Sequence, residues 1–473
     1  MTLFAQEITG FFNGDEDDIV LYDVVRDRSF SRRAFAAIVS SWSQELKEKK
    51  IFKVLACVDN CAELAIFYFA AMLSGTLVIA VDPEKTEAEK REIQRIHRDA
   101  VLYDTDKLKA LFSRFISTDQ GEIAAAEVHP ERPYLITYTS GSTGSPKGVV
   151  HTLGNLLAAS RAFGDTLHYG TGTVMGHCMP MTYMAGILNT LIMPLVCGGT
   201  VVVFDRFSMK SAFSFWANVR EHRVNTLWLS PTMLRIVNLM DSRAEMKAYF
   251  QSCSMKISIG TAPLDFQLRT DFETKYQTRL YQSYGLSETL FVSTEVIEEG
   301  KSKHTVGRLL PGVDVVSAED GELQIHVPWM MVGYTNADTD AFLDAGRYIS
   351  GDLGIIEEDG NLSITGRKKE LIVRGGYNLN PRDIENLLMG KFHASECMAV
   401  PVLSCGEEQI ACCYVSDTEL NLHEVNGVIA KELGKHYCVD LLEKRKCLPK
   451  NLNGKADRKR LCEEMEHRND LEI

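Results

Sequence analysis

Residues 138–149 read YTSGSTGSPKGV. Between Thr139 and Gly148 stand Gly141, Gly144 and Gly148, the hydroxyls of Thr139, Ser140, Ser142 and Thr143, and the cation Lys147. Glycines let backbone N–H groups approach anionic oxygens and adopt φ > 0, hydroxyls donate to the same oxygens, and the lysine supplies charge. That is the chemistry of a loop wrapped around a polyphosphate. A surface linker is the plain alternative, because Gly, Ser and Thr cluster in linkers, but a linker has no need of Pro146 and Lys147 in this order. A Walker loop requires GxxxxGK[ST] with a helix opening at the lysine. Here proline precedes the lysine and a strand-like GVV follows it.

Other stretches offer complementary groups. YQSYGLSE, 281–288, combines a ring suited to a flat purine face, a hydroxyl suited to a phosphate and a carboxylate suited to Mg²⁺. Magnesium prefers one or two carboxylates together with phosphate oxygens. RYISGDLG, 347–354, sets Asp352 in a glycine turn, where a carboxylate can accept both hydroxyls of a ribose. GRKKELIVRGGYNLNPRDIE, 366–385, contains Arg367, whose fork of N–H groups can donate to the same sugar. LPKNLNGKADRKRL, 448–461, places Lys455 in an NGK turn near the end of the chain.

Taken in this order, the stretches resemble the adenylate-forming superfamily, which includes acyl- and aryl-CoA synthetases, nonribosomal adenylation domains and luciferases. The likeness covers nearly the whole chain. It implies that the 139–147 loop holds the phosphates of ATP and that Gly260, Thr261 and Ala262 border adenine and acyl group. It further implies that Tyr284 lies on the adenine, Ser287 on the α-phosphate (in the usual threonine position) and Glu288 on Mg²⁺. By the same resemblance Lys369 is a hinge, Gly375 and Gly376 flank a pantetheine tunnel, and Lys455 bridges the acyl carboxylate and the α-phosphate. Tyr183, Met184, Trp228 and Ser283 are expected to shape the acyl pocket. Two departures stand out: Ile349 replaces a common basic residue, and Val327 a frequent glycine. GELQIHVPWMMVGY, 321–334, is read as scaffold.

The elements that must position these groups are legible in outline. VLACVD, 54–59, reads as a strand, 62–74 as an apolar helix and TLVIAVDP from Thr76 as the next strand. Such alternation implies parallel strands with crossover helices. A helix is expected at about 153–163, and VNTLWLSP and MKISIGTAP read as two strands ending in loops. In open α/β sheets ligands sit beyond the carboxyl ends of the strands, which puts GTAP at the site. The uncharged runs 64–81 and 178–204 are each broken by glycine and followed by a β-branched segment. They read as buried helices turning into buried strands rather than as membrane spans. The triplet His97-Arg98-Asp99 matches a kinase catalytic loop only by chance, because position 104 is aspartate and no DFG follows.

With 473 residues the chain exceeds what one core supports. The expected architecture is α/β, with a large multi-subdomain N-terminal domain of sheets flanked by helices over 1–368 and a small mobile α/β lid over 369–473. A formal charge of −13 argues against nucleic acid as the partner. Twelve cysteines without a CxxC, and an acidic start with no secretory n-region, point to reduced thiols and a cytoplasmic location. The function implied by the resemblance is ATP-dependent activation of a carboxylic acid, a small-molecule substrate, with transfer to CoA. A ligase loading the phosphopantetheine of an acyl carrier protein, and a non-catalytic nucleotide-binding homologue, remain as alternatives. An amino-acid-activating domain is disfavoured because PMTY stands where an FDxS-type aspartate would hold an α-amino group.

Overall fold

The computed structural model describes residues 15–116, 128–139, 146–241, 244–296, 305–336, 343–344, 346–374, 376–404, 407–450 and 456–469. The chain divides into two compact units. One comprises Met1–Val315, Ile325–Tyr348 and Asp359–Asn361; the other comprises Val316–Gln324, Ile349–Glu358 and Leu362–Ile473.

In the first unit the helix Ala62–Ser74 is buried at every position from Ala62 to Leu73. A helix apolar on all sides has no solvent face and must lie inside. It stops where Gly75 takes the left-handed conformation at φ 72°, after which the chain enters the strand Leu77–Ala80. That strand runs parallel to Lys53–Cys57 and to Pro133–Thr139. The last of these turns back antiparallel into Lys147–Thr152, with Thr139 opposite Lys147. The two-residue strand Gly333–Tyr334 closes this edge of the six-stranded sheet, Tyr334 facing Val149.

A nine-stranded sheet forms the other layer. Its centre, from Leu280–Leu286 through Lys256–Ile259, Thr226–Leu229, Val174–His177 and Thr200–Val203 to Ile19–Asp23, is parallel throughout. The core against it includes Leu227, Leu229, Ile257, Ile259, Phe272 and Tyr276. Leu290–Thr294 pairs antiparallel with Leu280–Leu286, so residues 287–289 form the tip of a tight hairpin. The helix expected at 153–163 runs Leu153–Thr166. The run 178–204 does turn from helix into the strand Thr200–Val203, but its helix begins as a π-helix, Ala185–Ile192, before the short α-turn Met193–Val196.

In the second unit Glu396–Ser404 and Glu407–Val415 pair antiparallel, and Leu441–Lys444 joins the latter in parallel. Alternate residues face opposite ways. Ala399 and Cys412 pack with Ile384, Leu388, Val425 and Ile429 from the helices Pro381–Phe392 and Leu422–Glu432. Met398, Val400 and Cys413 pack with Leu461 and Met465 of the helix Arg458–Asn469. A period of two thus gives this small sheet a core on both faces. Among the described residues of the whole chain, no helix is long and apolar enough to cross a membrane, and the cysteines carry no disulfide.

Candidate active site

The loop strand and the 287–289 hairpin tip are fastened together inside the first unit by the segment 331–336. Met331 N–H donates to Glu288 O at 2.9 Å, and Val332 N–H donates to Val150 O at 2.8 Å. Thr335 N–H donates to Gly148 O at 2.9 Å. The side chain of Asn336 donates to Pro146 O at 2.6 Å and accepts from Gly148 N–H at 3.0 Å. Two backbone pieces distant in sequence are therefore locked to the same short segment.

Tyr334 sits at the centre of this lock. Its hydroxyl donates to Glu288 Oε1 at 2.8 Å and lies 3.1 Å from the hydroxyl of Tyr348. The Lys147 ammonium stands 5.5 Å from the centroid of the Tyr334 ring, within the range of a cation–π contact. Burial, with the Glu288 carboxylate second, pushes the Tyr334 phenol up, so it is a proton donor at any working pH. Lys147, Glu288 and Tyr334 are each half-buried, which leaves them room to meet a ligand.

His151 steadies the same tip. Its Nε2–H donates to Ser287 O at 2.7 Å, while its Nδ1 is buried with no hydrogen-bond partner among the described residues. Burial pushes this imidazole down to about 4, so it is the neutral ring that holds Ser287.

Further candidates gather at the carboxyl ends of the parallel strands. Gly260 follows Lys256–Ile259, and a Cβ there would come within 2.9 Å of Trp228 Cζ2, so only glycine lets the indole lie against this backbone. Trp228 is buried beside the stacked rings of Phe163 and Phe291, its indole N–H without a hydrogen-bond partner among the described residues. Thr261 adopts φ 70°, an unfavourable value for a β-branched residue and the kind of strain that collects at ligand sites. Ser283 is buried with its hydroxyl 2.8 Å from that of Thr294. Met184 is buried and Tyr183 half-buried, immediately before the π-helix. π-turns occur mostly as short interruptions and often at functional sites. Tyr284, toward the carboxyl end of Leu280–Leu286, and Ala262, just past Lys256–Ile259, are half-buried.

In the second unit Asp352 and Arg367 face each other across adjacent antiparallel strands. Arg367 Nε lies 2.8 Å from Asp352 Oδ1, and the carboxylate is buried. Lys369 is exposed on the single turn Lys368–Glu370. Gly376 takes φ 83°, and a Cβ there would meet nothing within 4 Å, so its backbone angle rather than crowding calls for glycine. Ser140, Gly141, Ser142, Thr143, Gly144, Gly375 and Lys455 lie outside the described residues.

The sequence reading left Tyr334, Tyr348, Asn336 and His151 unassigned, and treated Tyr334 as part of a scaffold. The GY pair at 333–334 was the available signal, but its register against Val149 and Val150 is a tertiary fact. His97 is structural, its Nε2 lying 2.8 Å from the Tyr138 hydroxyl, and Asp99 pairs with Lys53 at 2.7 Å. The kinase-like triplet is thereby accounted for.

A family model described as AMP-binding enzyme matches residues 12–335. Sulfoacetate–CoA ligase of Cupriavidus necator is 30% identical, over 70% of this chain and 67% of that protein. Malonate–CoA ligase of Arabidopsis thaliana is 27% identical, over 71% of this chain and 61% of its own length. The chain spans 61%, 62% and 64% of three of the curated relatives it matches. Among solved structures, ATP-bound MatB from Rhodopseudomonas palustris matches with a TM-score of 0.84 at 21% identity, over 98% of this chain and 99% of that one. At that identity the likeness speaks for the fold, an α/β architecture with a large N-terminal and a smaller C-terminal part. With a family model spanning more than half of its length, the chain belongs to the family of AMP-binding enzymes.

Proposed function

We propose that this protein is an AMP-forming acid–thiol ligase that activates a carboxylic acid with ATP and transfers the acyl group to CoA. A carboxylate oxygen forms a bond to the α-phosphorus of ATP and pyrophosphate leaves, giving an acyl-adenylate. The CoA sulfur then bonds to the acyl carbon, AMP leaves with the former carboxylate oxygen, and the thiol proton passes to solvent. The CoA ligases among the relatives support this choice of acceptor.

One observation carries the reading: Lys147 and Glu288, far apart in the chain, both engage Tyr334. The first step brings anion to anion, so its main demand is preorganised positive charge and dipoles where negative charge concentrates. Lys147 and the loop 139–144 answer that demand on the phosphates, and Ser287 on the α-phosphate. Tyr284, Gly260, Thr261 and Ala262 take the adenine end, Asp352 and Arg367 the ribose, and Tyr183, Met184, Trp228 and Ser283 the acyl group.

Glu288 also suits Mg²⁺. Among the described residues no three His, Cys, Asp or Glu side chains cluster as a cage, and a lone carboxylate completed by substrate oxygens is the usual magnesium arrangement. When bound, the ion would neutralise phosphate charge.

Residues 369–473 act in this proposal as a lid hinged at Lys369. Lys455 completes the charge cage for the first step, and Gly375 and Gly376 border the path of the thiol in the second.

The test is ATP–pyrophosphate exchange across a panel of carboxylic acids, followed by thioester formation with CoA or a holo carrier protein as acceptor. Exchange that depends on an added acid, and thioester formed on CoA, are expected. Transfer to the carrier protein alone reassigns the acceptor. ATP binding without exchange for any acid overturns the enzymatic reading in favour of a nucleotide-binding homologue.

A further inference from the structure

Glu288 is presented with one oxygen already committed. The Tyr334 phenol carries a single proton and donates it to Glu288 Oε1 at 2.8 Å. The Tyr348 hydroxyl, 3.1 Å away, must therefore be the donor in its own contact with Tyr334. The proton order Tyr348 to Tyr334 to Glu288 is thus fixed by the acceptor at its end. Tyr348 is itself buried, at 6% exposure.

The phenol is itself held from both sides. Its backbone is paired to Val149 of the loop strand, and Met331, three residues earlier, is bonded to the backbone of Glu288. Neither the Tyr334 backbone nor the hairpin tip can move away from this segment without breaking backbone hydrogen bonds.

We propose that Tyr334 is a metal-selectivity residue, which by engaging Oε1 leaves Glu288 one oxygen for a divalent cation and so favours Mg²⁺ over Ca²⁺. The inference rests on the reading of Glu288 as the cation's carboxylate. Magnesium is small, demands near-octahedral geometry and takes few carboxylate oxygens; calcium accepts six to eight oxygens, including both of one carboxylate. A carboxylate tethered through one oxygen serves the first habit and obstructs the second. Phenylalanine at 334 would keep the ring beneath Lys147 and the backbone pairing, and would release Oε1 alone.

The experiment is calorimetric titration of ATP into the full-length protein in excess chelator, in Mg²⁺ and in Ca²⁺, for wild type, Tyr334→Phe, Tyr348→Phe and Tyr334→Leu. The readout is the ratio of ATP affinities in the two metals. Wild type should bind ATP more tightly with Mg²⁺. In Tyr334→Phe the Mg²⁺ to Ca²⁺ ratio should fall about tenfold, the scale of a lost hydrogen bond to a charged group. Tyr348→Phe, which removes only the donor behind Tyr334, should shift the ratio in the same direction by about twofold, and it decides the matter if Tyr334→Phe does not fold. Tyr334→Leu should weaken ATP in chelator as well, because Lys147 loses the ring. A wild-type ratio in both phenylalanine variants overturns the proposal. Wild-type binding indifferent to either metal overturns it together with the assignment of Glu288, a result distinct from an unchanged ratio in metal-dependent protein.

Discussion

Removing the Glu288 carboxylate as Glu288→Ala should lower acid-dependent exchange by about 10²-fold or more, the scale of losing one preorganised electrostatic partner. A magnesium titration checks it, and an unaltered magnesium requirement would take Glu288 out of the site. The buried histidines give a second expectation. Burial pushes His151 and His177 each down to about 4, and both are fully buried. An imidazole in the unfolded chain titrates near 6.5, so between about pH 6.5 and pH 4 the unfolded state binds more protons. Stability is therefore full above that window and declines as pH falls through it, by on the order of a few kcal/mol per ring at pH 4. Thermal melts from pH 7 to pH 4.5 should show this decline, and His151→Gln and His177→Gln should flatten it. At this scale Lys147 and Glu288 could be picked out by type and neighbours. Tyr334 and Asn336 could not, because their roles come from hydrogen bonds to residues 46 and 188 positions away.

Among the elements, the start of the helix Arg458–Asn469 is pinned with unusual strength. Arg458 donates to both oxygens of Glu385 at 2.6 and 2.8 Å, to Glu370 at 3.1 Å and to Ala399 O at 2.8 Å. Glu385 in turn accepts from Ala399 N–H at 2.8 Å. The two side chains are only 18% and 9% exposed. Removing one partner of a buried pair costs about 3 kcal/mol or more, because the other charge is left unpaired. Arg458→Ala should accordingly destabilise the second unit by that order in a denaturant melt, and Arg458→Met with Glu385→Met should cost much less. Equal losses would mean that packing rather than charge holds the helix. Most elements were legible because their apolar periods are local: the helix Ala62–Ser74 coincides with the apolar helix expected over 62–74 and ends before Gly75. The π-helix Ala185–Ile192 was not legible. A segment buried on every side has no solvent stripe whose drift could distinguish a wider turn from an α-turn.

For the molecule as a whole, the sharpest expectation concerns the two half-reactions. Lys455→Ala should reduce adenylate formation by about 10²-fold, while thioester formation from supplied acyl-adenylate and CoA persists. Pyrophosphate exchange and single-turnover transfer measure the two separately, and equal loss in both would remove the division of labour. The α/β class and the order of the chemical stretches were determined by the sequence alone, because loop composition, glycine placement and hydrophobic period are encoded within a few consecutive residues. Only the tertiary structure decided which of those residues act on one another. It paired 331–336 with the loop strand and hairpin tip, turned Asp352 onto Arg367, and drew Val316–Gln324 and Ile349–Glu358 into the second unit. Strand register and buried hydrogen bonds between distant segments are settled by the packing of the whole core, and no local spacing records them.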